Sequence, residues 1–192
     1  MSRFLPGATC AVLLALASLV HADTWNIDPS NSSAEFSVRH MGISTVRGSF
    51  KKLSGTVDYN PADLSKTAIN VSIDSASLDT RVEMRDNHVR GPDFLDTAKY
   101  PAITFHSKRV EAAGHGKLKI IGDLTLHGVT KTVTLDVAGP SEVVKDPGGG
   151  SHMGASATTA INREQFGVSG TPLMVSDEVS ITIDVELVKP PT

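Results

Sequence analysis

The sequence predicts an all-β fold, closed as an antiparallel barrel of about eight strands with a short helical insert. Three observations predict it. Apolar and polar residues alternate with a period of two from Trp25 almost to the C-terminus, as in strands with one buried face. Each run has a single apolar face, which suits antiparallel hairpins better than a parallel sheet buried on both sides. Glycine and proline separate the runs at Gly42, Gly48, Gly55, Pro61, Gly114, Gly116, Gly139 and Gly148-Gly149-Gly150. A sandwich is the alternative architecture.

In chain order, Ala34, Phe36 and Val38 alternate with Glu35, Ser37 and Arg39, and His40 continues the apolar face. Thr45 to Asp58 reads as one long bent strand. Ile69, Val71 and Ile73 form the next apolar face, followed by Ile103 and Phe105. Leu118, Ile120, Leu124 and Leu126 share a face, and Val129, Val133, Leu135 and Val137 repeat it after the turn-like His127-Gly128. Ala155 to Arg163 and Val179 to Leu187 complete the set, and Gly148 to Met153 reads as a loop. One segment breaks the rhythm: Thr80-Arg81-Val82-Glu83 has the spacing of a capping box, predicting a helix that runs to about Arg90 and stops at Gly91-Pro92. Asp93 is placed to cap a second short turn through Phe94-Leu95-Asp96. The insert is expected across one opening or side of the barrel.

The N-terminus has the anatomy of a secretory signal peptide: Arg3, an apolar run from Ala11 to Val20, and the small-residue site Val20-His21-Ala22. The run is shorter than the about 20 apolar residues needed to span a bilayer. Residues 1–22 are therefore expected to leave, and 23–192 to form one domain, periplasmic or secreted, with no integral membrane segment. Cys10, the sole cysteine, leaves with the signal, so no disulfide, thiol nucleophile or thiolate ligand is expected. Arg3 is the only charged residue in the signal, leaving 17 basic residues against 21 acidic ones. That balance, with no basic run, disfavours nucleic acid as a partner and weakens the case for adsorption on anionic lipid surfaces.

Enzymatic motifs are missing: there is no G-x-S-x-G, no phosphate loop and no dinucleotide fingerprint. No cofactor and no metal are expected. Of the histidines, His106 and His115 read as solvated, whereas His40 lies on the face of Phe36 and Val38. Arg85-Asp86-Asn87-His88 is the densest polar cluster, and Arg81, Arg85 and His88 are spaced to share one helix face. Such a face suits a lip that orients a polar head group, arginine being able to bind carboxylate or phosphate through two parallel hydrogen bonds. A solvated face with an internal ion pair is the alternative. Arg163 shares a face with Ile161 and is a second candidate cation.

Eight segments, taken in order, resemble the YceI-like family of secreted lipid-binding proteins. They are Trp25 to Asp28, Phe36 to Met41, Val46 to Phe50, Arg85 to His88, Asp93 to Leu95, Tyr100 to Phe105, Gly122 to Thr130 and Asn162 to Gly167. Where the family usually has a His-Ser pair after the first Ile-Asp, this chain has Asn31-Ser32. The resemblance implies a lipocalin-like barrel, a periplasmic or extracellular location, and a long-chain ligand such as a polyisoprenoid or fatty amide, with no established catalytic residues. The expected tunnel wall is Phe36, Val38, Ile69, Val71, Ile73, Phe94 and Phe105, with His40, Arg85, His88 and Arg163 at the polar end. Two other readings stand beside this non-enzymatic one. One is a lipid-acting hydrolase or isomerase using His40 or His88 as base, and the other is a metal-binding module of His40, Asp86 and His88. An exposed strand edge would also allow a homodimer.

Overall fold

The computed structural model describes residues 23–191; the expected signal peptide, 1–22, lies outside them. The strands are β1 (Asp23–Ile27), β2 (Ser33–His40), β3 (Ser44–Phe50), β4 (Leu53–Tyr59), β5 (Ala68–Asp74) and β6 (Leu78–Asp79). Helix α1 (Glu83–Arg90) follows. After it come β7 (Ala102–Ala112), β8 (Lys117–Leu126), β9 (Val129–Ala138), β10 (Val144–Lys145), β11 (Ser151–Asn162) and β12 (Glu178–Lys189).

These strands make an eight-stranded closed barrel because three wall strands are bent pairs. Strand β12 pairs with β2 along Ser180–Asp184 and with β1 at Leu187–Val188, so β1 and β2 are two halves of one strand. Likewise β3 and β4 pair with β2 and β1, which makes Ser44 to Tyr59 the long bent strand that the alternation predicts. Strands β5 and β6 form the third such pair. The wall continues through β7, β8, β9 and β11, and the pairing of β11 with β12 closes it. Every pairing is antiparallel, and apart from that of β12 with the β1–β2 strand each joins wall strands that follow one another in the chain, so successive turns fall alternately at the two ends. Turns after β2, β8 and β11, together with α1, gather at one end; the turns after β4, β7 and β9 gather at the other.

Two local devices keep the inner face continuous. Ile103 and Phe105 face inward at odd positions, yet the next buried residue on β7 is Val110. A register shift between Ser107 and Arg109 absorbs the change of parity. The second device is the absence of a side chain under two rings. A Cβ on Gly48 would lie 2.5 Å from the Phe36 ring, and one on Gly122 would lie 2.4 Å from the Phe105 ring. Glycine at these positions lets both aromatics lie flat against the wall.

Two expectations are corrected. The helix starts at Glu83, capped by Val82 with no side-chain bond, and Arg81 lies outside it with φ 66°. The Thr80 hydroxyl instead donates to the buried carboxylate of Asp86, which also accepts the Thr80 backbone N–H at 2.8 Å. A buried carboxylate needs its donors, and this demand outweighs an exposed cap. Ser151-His152-Met153 is also not loop: these residues begin β11, with His152 paired to Val144 and to Val188. The turn is confined to Asp146–Gly150, where the Asp146 carboxylate accepts the N–H groups of Gly148 and Gly150.

That strap is tied to the barrel by His152, whose Nε2 lies 2.9 Å from Asp146 and whose Nδ1 lies 2.7 Å from Glu186. The Asp146 bond, then the Glu186 bond, raises the imidazole above the usual histidine value, while His152 holds Asp146 below the usual carboxylate value. A raised histidine stabilises the fold fully below its unfolded value, and the gain is lost as pH rises through the folded one. A lowered carboxylate does the reverse, so the strap is firmest between about pH 4 and pH 6.5. Amide exchange at Gly148–Gly150 is expected to accelerate above that window beyond its intrinsic pH dependence, and His152→Ala should abolish the extra acceleration. An identical pH profile in wild type and variant would contradict the linkage.

Candidate functional site: an apolar cavity with one polar mouth

The barrel encloses a cavity of about 630 Å³, within the 300–1,000 Å³ range of small-molecule sites. Its wall is made by the inward-facing residues of all the long strands, so the same alternation that builds the core also leaves the axis hollow. Phe36, Val38, Ile69, Val71, Ile73, Phe94 and Phe105 all line it, as do His40, Arg85, His88 and Arg163. At the end opposite α1, Trp25, Ile27, Leu53, Val57, Met153 and Leu187 form a buried cluster. The 60–67 turn packs Leu64 against the neighbouring cluster of Phe105, Val110 and Ile120.

The arginines and histidines of the lining collect at the α1 end. His40 terminates β2, where it bridges to Val175 in the turn between β11 and β12. His88 packs edge-on against Phe94, with ring centroids 5.1 Å apart, and its Nε2 lies 3.8 Å from Asp93. Ser44, Thr171, Met174 and Val175 complete this part of the wall. The last three come from an irregular turn with no hydrophobic period, and this is why alternation did not reveal them.

The two arginines differ in what they have left to offer. Arg85 is half-buried; its Nε donates to the Thr80 hydroxyl at 2.7 Å and its Nη2 to the Thr80 carbonyl at 2.8 Å. Among the described residues its Nη1 meets no acceptor, and the side chain borders the cavity. The Asp86–Thr80–Arg85 chain of hydrogen bonds thus fixes a guanidinium with one edge unused. Arg163 is only 3% exposed. Its Nε donates to the Ser176 carbonyl, its Nη1 to those of Val168 and Gly170, and its Nη2 to that of Val175 and to Asp177. A guanidinium has five N–H donors, and all of Arg163's are taken. Arg163 thus borders the cavity but spends its donors on the protein itself, as the hub of the 168–177 turn.

The Asn162 to Gly167 segment explains how that hub is placed. The Asn162 side chain accepts the N–H groups of Glu164 and Gln165, starting a 3-10 turn, and Gly167 ends it in the left-handed region. Phe166 plugs into a cluster with Phe94, Ile103, Leu126, Ile161 and Val168. The proposed metal set does not assemble. Asp86 is buried and bonded to Thr80, and no group of three or more metal-ligating side chains occurs among the described residues. Asn31 and Ser32 lie far from the mouth. The Ser32 hydroxyl accepts the N–H of Glu186 at 3.0 Å, and the Asn31 amide donates to Asp28.

Comparison with known proteins agrees with this architecture. The chain is 38% identical over 190 residues to Protein YceI of Escherichia coli O157:H7, covering 97% of each. The crystal structure of Burkholderia cenocepacia BcnA superimposes with a TM-score of 0.73 at 28% identity, over 83% of this chain and 98% of that one. A polyisoprenoid binding domain from Saccharophagus degradans shares the fold, with a TM-score of 0.65 at 17% identity, over 88% of this chain and 99% of that one. With residues 25–187 matching the YceI-like domain, the chain belongs to the YceI-like family.

Proposed function

We propose that this protein is a non-enzymatic carrier that holds one long-chain apolar ligand, of the polyisoprenoid or fatty amide type, inside the barrel, in the periplasm or outside the cell. The hollow apolar interior with its arginine and histidine side chains at a single end carries the reading. A chain-like guest matches that asymmetry: its tail fills the tube while its polar end meets Arg85, His40 and His88. The polyisoprenoid binding domain of the same fold supports the ligand class.

Energetics favour a long guest over a short one. Each buried methylene contributes about 0.8 kcal/mol, whereas association costs about 4–15 kcal/mol. A molecule of a few carbons therefore fails to stay bound, and about ten or more buried carbons are needed before a surplus accumulates. The cavity holds the volume of roughly twenty waters at liquid density, enough for about four isoprene units. The test is a binding series from geraniol through farnesol and geranylgeraniol to a longer polyprenol. Affinity should rise at least about tenfold per isoprene unit and level off once the interior is full. Affinity that ignores chain length would overturn the reading.

A further inference from the structure

Large apolar side chains are unevenly placed on the outside of this barrel. Ile43 is 79% exposed, Met84 83% and Leu173 100%, with Met41, Val82 and Met174 also exposed. These six lie on the β2–β3 turn, the start of α1 and the β11–β12 turn, three of the four segments at the mouth, whereas the two other exposed ones, Val143 and Val144, lie beyond β9 at the opposite end. Two of these segments are joined directly: the Met41 N–H donates to the Met174 carbonyl at 2.7 Å, and Ser176 bonds to Arg39 through both backbone and hydroxyl. Met41 and Leu173 are held in the left-handed region, with φ 51° and 74°, a conformation that branched or bulky residues seldom adopt. Met174 also lines the cavity, so the oily interior continues onto the rim. Exposed apolar side chains gathered at one rim in this way mark a contact site.

Charge identifies the partner. The chain as a whole is acidic, at −3, yet Arg39, Arg47, Arg81 and Arg85 cluster beside the rim. Arg39 and Arg47 are diagonal neighbours on the outer face of β2–β3, where Arg39 opposes Thr45 and Arg47 opposes Ser37. Arg81 follows β6, which pairs with β3. None of the four takes part in an ion pair among the described residues; of the carboxylates at the same end, Asp79, Asp93 and Asp177 face Lys51, His88 and Arg163, and Glu83, Glu164 and Glu178 are exposed. Apolar tips flanked by unpaired arginines match the interface of a bilayer, where acyl chains lie beneath anionic head groups.

We propose that the barrel mouth docks on an anionic phospholipid bilayer through Ile43, Met84 and Leu173, with Arg47 and Arg81 against the head groups. Resting on the carrier reading, this gives the ligand a path between membrane and cavity that avoids water. In the sequence an acidic balance and the lack of a basic run argue against such a contact; the topology nevertheless brings arginines that are scattered along the chain together at one rim.

Co-sedimentation with vesicles of equimolar phosphatidylcholine and phosphatidylglycerol tests it, alongside geranylgeraniol binding in solution. Wild type should pellet with these vesicles, less so with pure phosphatidylcholine, and less at high salt. Ile43→Ser with Leu173→Ser should weaken vesicle binding at least about tenfold while leaving prenol affinity unchanged, since neither residue lines the cavity. Arg47→Gln with Arg81→Gln should remove the preference for anionic vesicles. Equal sedimentation of wild type and the serine variant would overturn the proposal, as would a dimer that the serine variant dissociates while vesicles bind neither protein. Vesicle binding that follows these predictions with no prenol uptake would uphold docking and overturn the carrier reading instead.

Discussion

Ala157→Trp is expected to abolish ligand uptake while leaving the barrel folded. Ala157 lies on β11 between Val137 of β9 and Ile183 of β12, and its small side chain faces the cavity. Adding bulk to a filled core typically costs 1–3 kcal/mol through strain, so about that much is the upper expectation. Here the indole enters empty space, and its own burial offsets the strain. For the ligand the change is severe. An indole occupies the room of about five methylenes, about 4 kcal/mol of lost burial, so affinity should fall roughly 100- to 1,000-fold. The check is prenol titration paired with thermal unfolding. Unchanged affinity in a folded variant would place the ligand outside the barrel.

Arg163→Met is expected to have the largest effect on stability. Methionine keeps apolar bulk but supplies none of the five donors, leaving the carbonyls of Val168, Gly170, Val175 and Ser176 without partners in a partly buried turn. Each buried acceptor left unpaired costs about 1–3 kcal/mol, so a loss of about 3–5 kcal/mol is expected, which at about 2–4 °C per kcal/mol lowers Tm by roughly 10 °C. Amide exchange should rise first across 168–177. Lysine should rescue little, because three donors on one nitrogen cannot span four carbonyls held around a planar fork. A variant with wild-type Tm and an ordered turn would show that Arg163 is not the hub described.

How much of this was legible in the sequence follows from the range of each interaction. Wall strands are governed by a period of two that every inward residue repeats, so β2, β5, β8, β9 and β12 could be placed from their side chains alone. The wall residues of the cavity followed from the same parity. Local signals misled where a tertiary partner competed for the same atoms. Thr80 has the spacing of a cap, but Asp86 and Arg85 claim its hydroxyl. Arg163 has the parity of a cavity cation, but the chain folds back after Asn162 and surrounds it with carbonyls that lie up to 13 residues away. The mouth was legible only in pieces. His40, Arg85 and His88 stand out as polar residues next to apolar faces, whereas Thr171, Met174 and Val175 join them through a bridge between His40 and Val175 that no periodicity encodes.

Native mass spectrometry of the protein released gently from its source, without detergent, examines the carrier reading at its root. One lipid-sized adduct per barrel is predicted, absent from Ala157→Trp purified in parallel. A bare polypeptide mass that persists after incubation with a total lipid extract would contradict it.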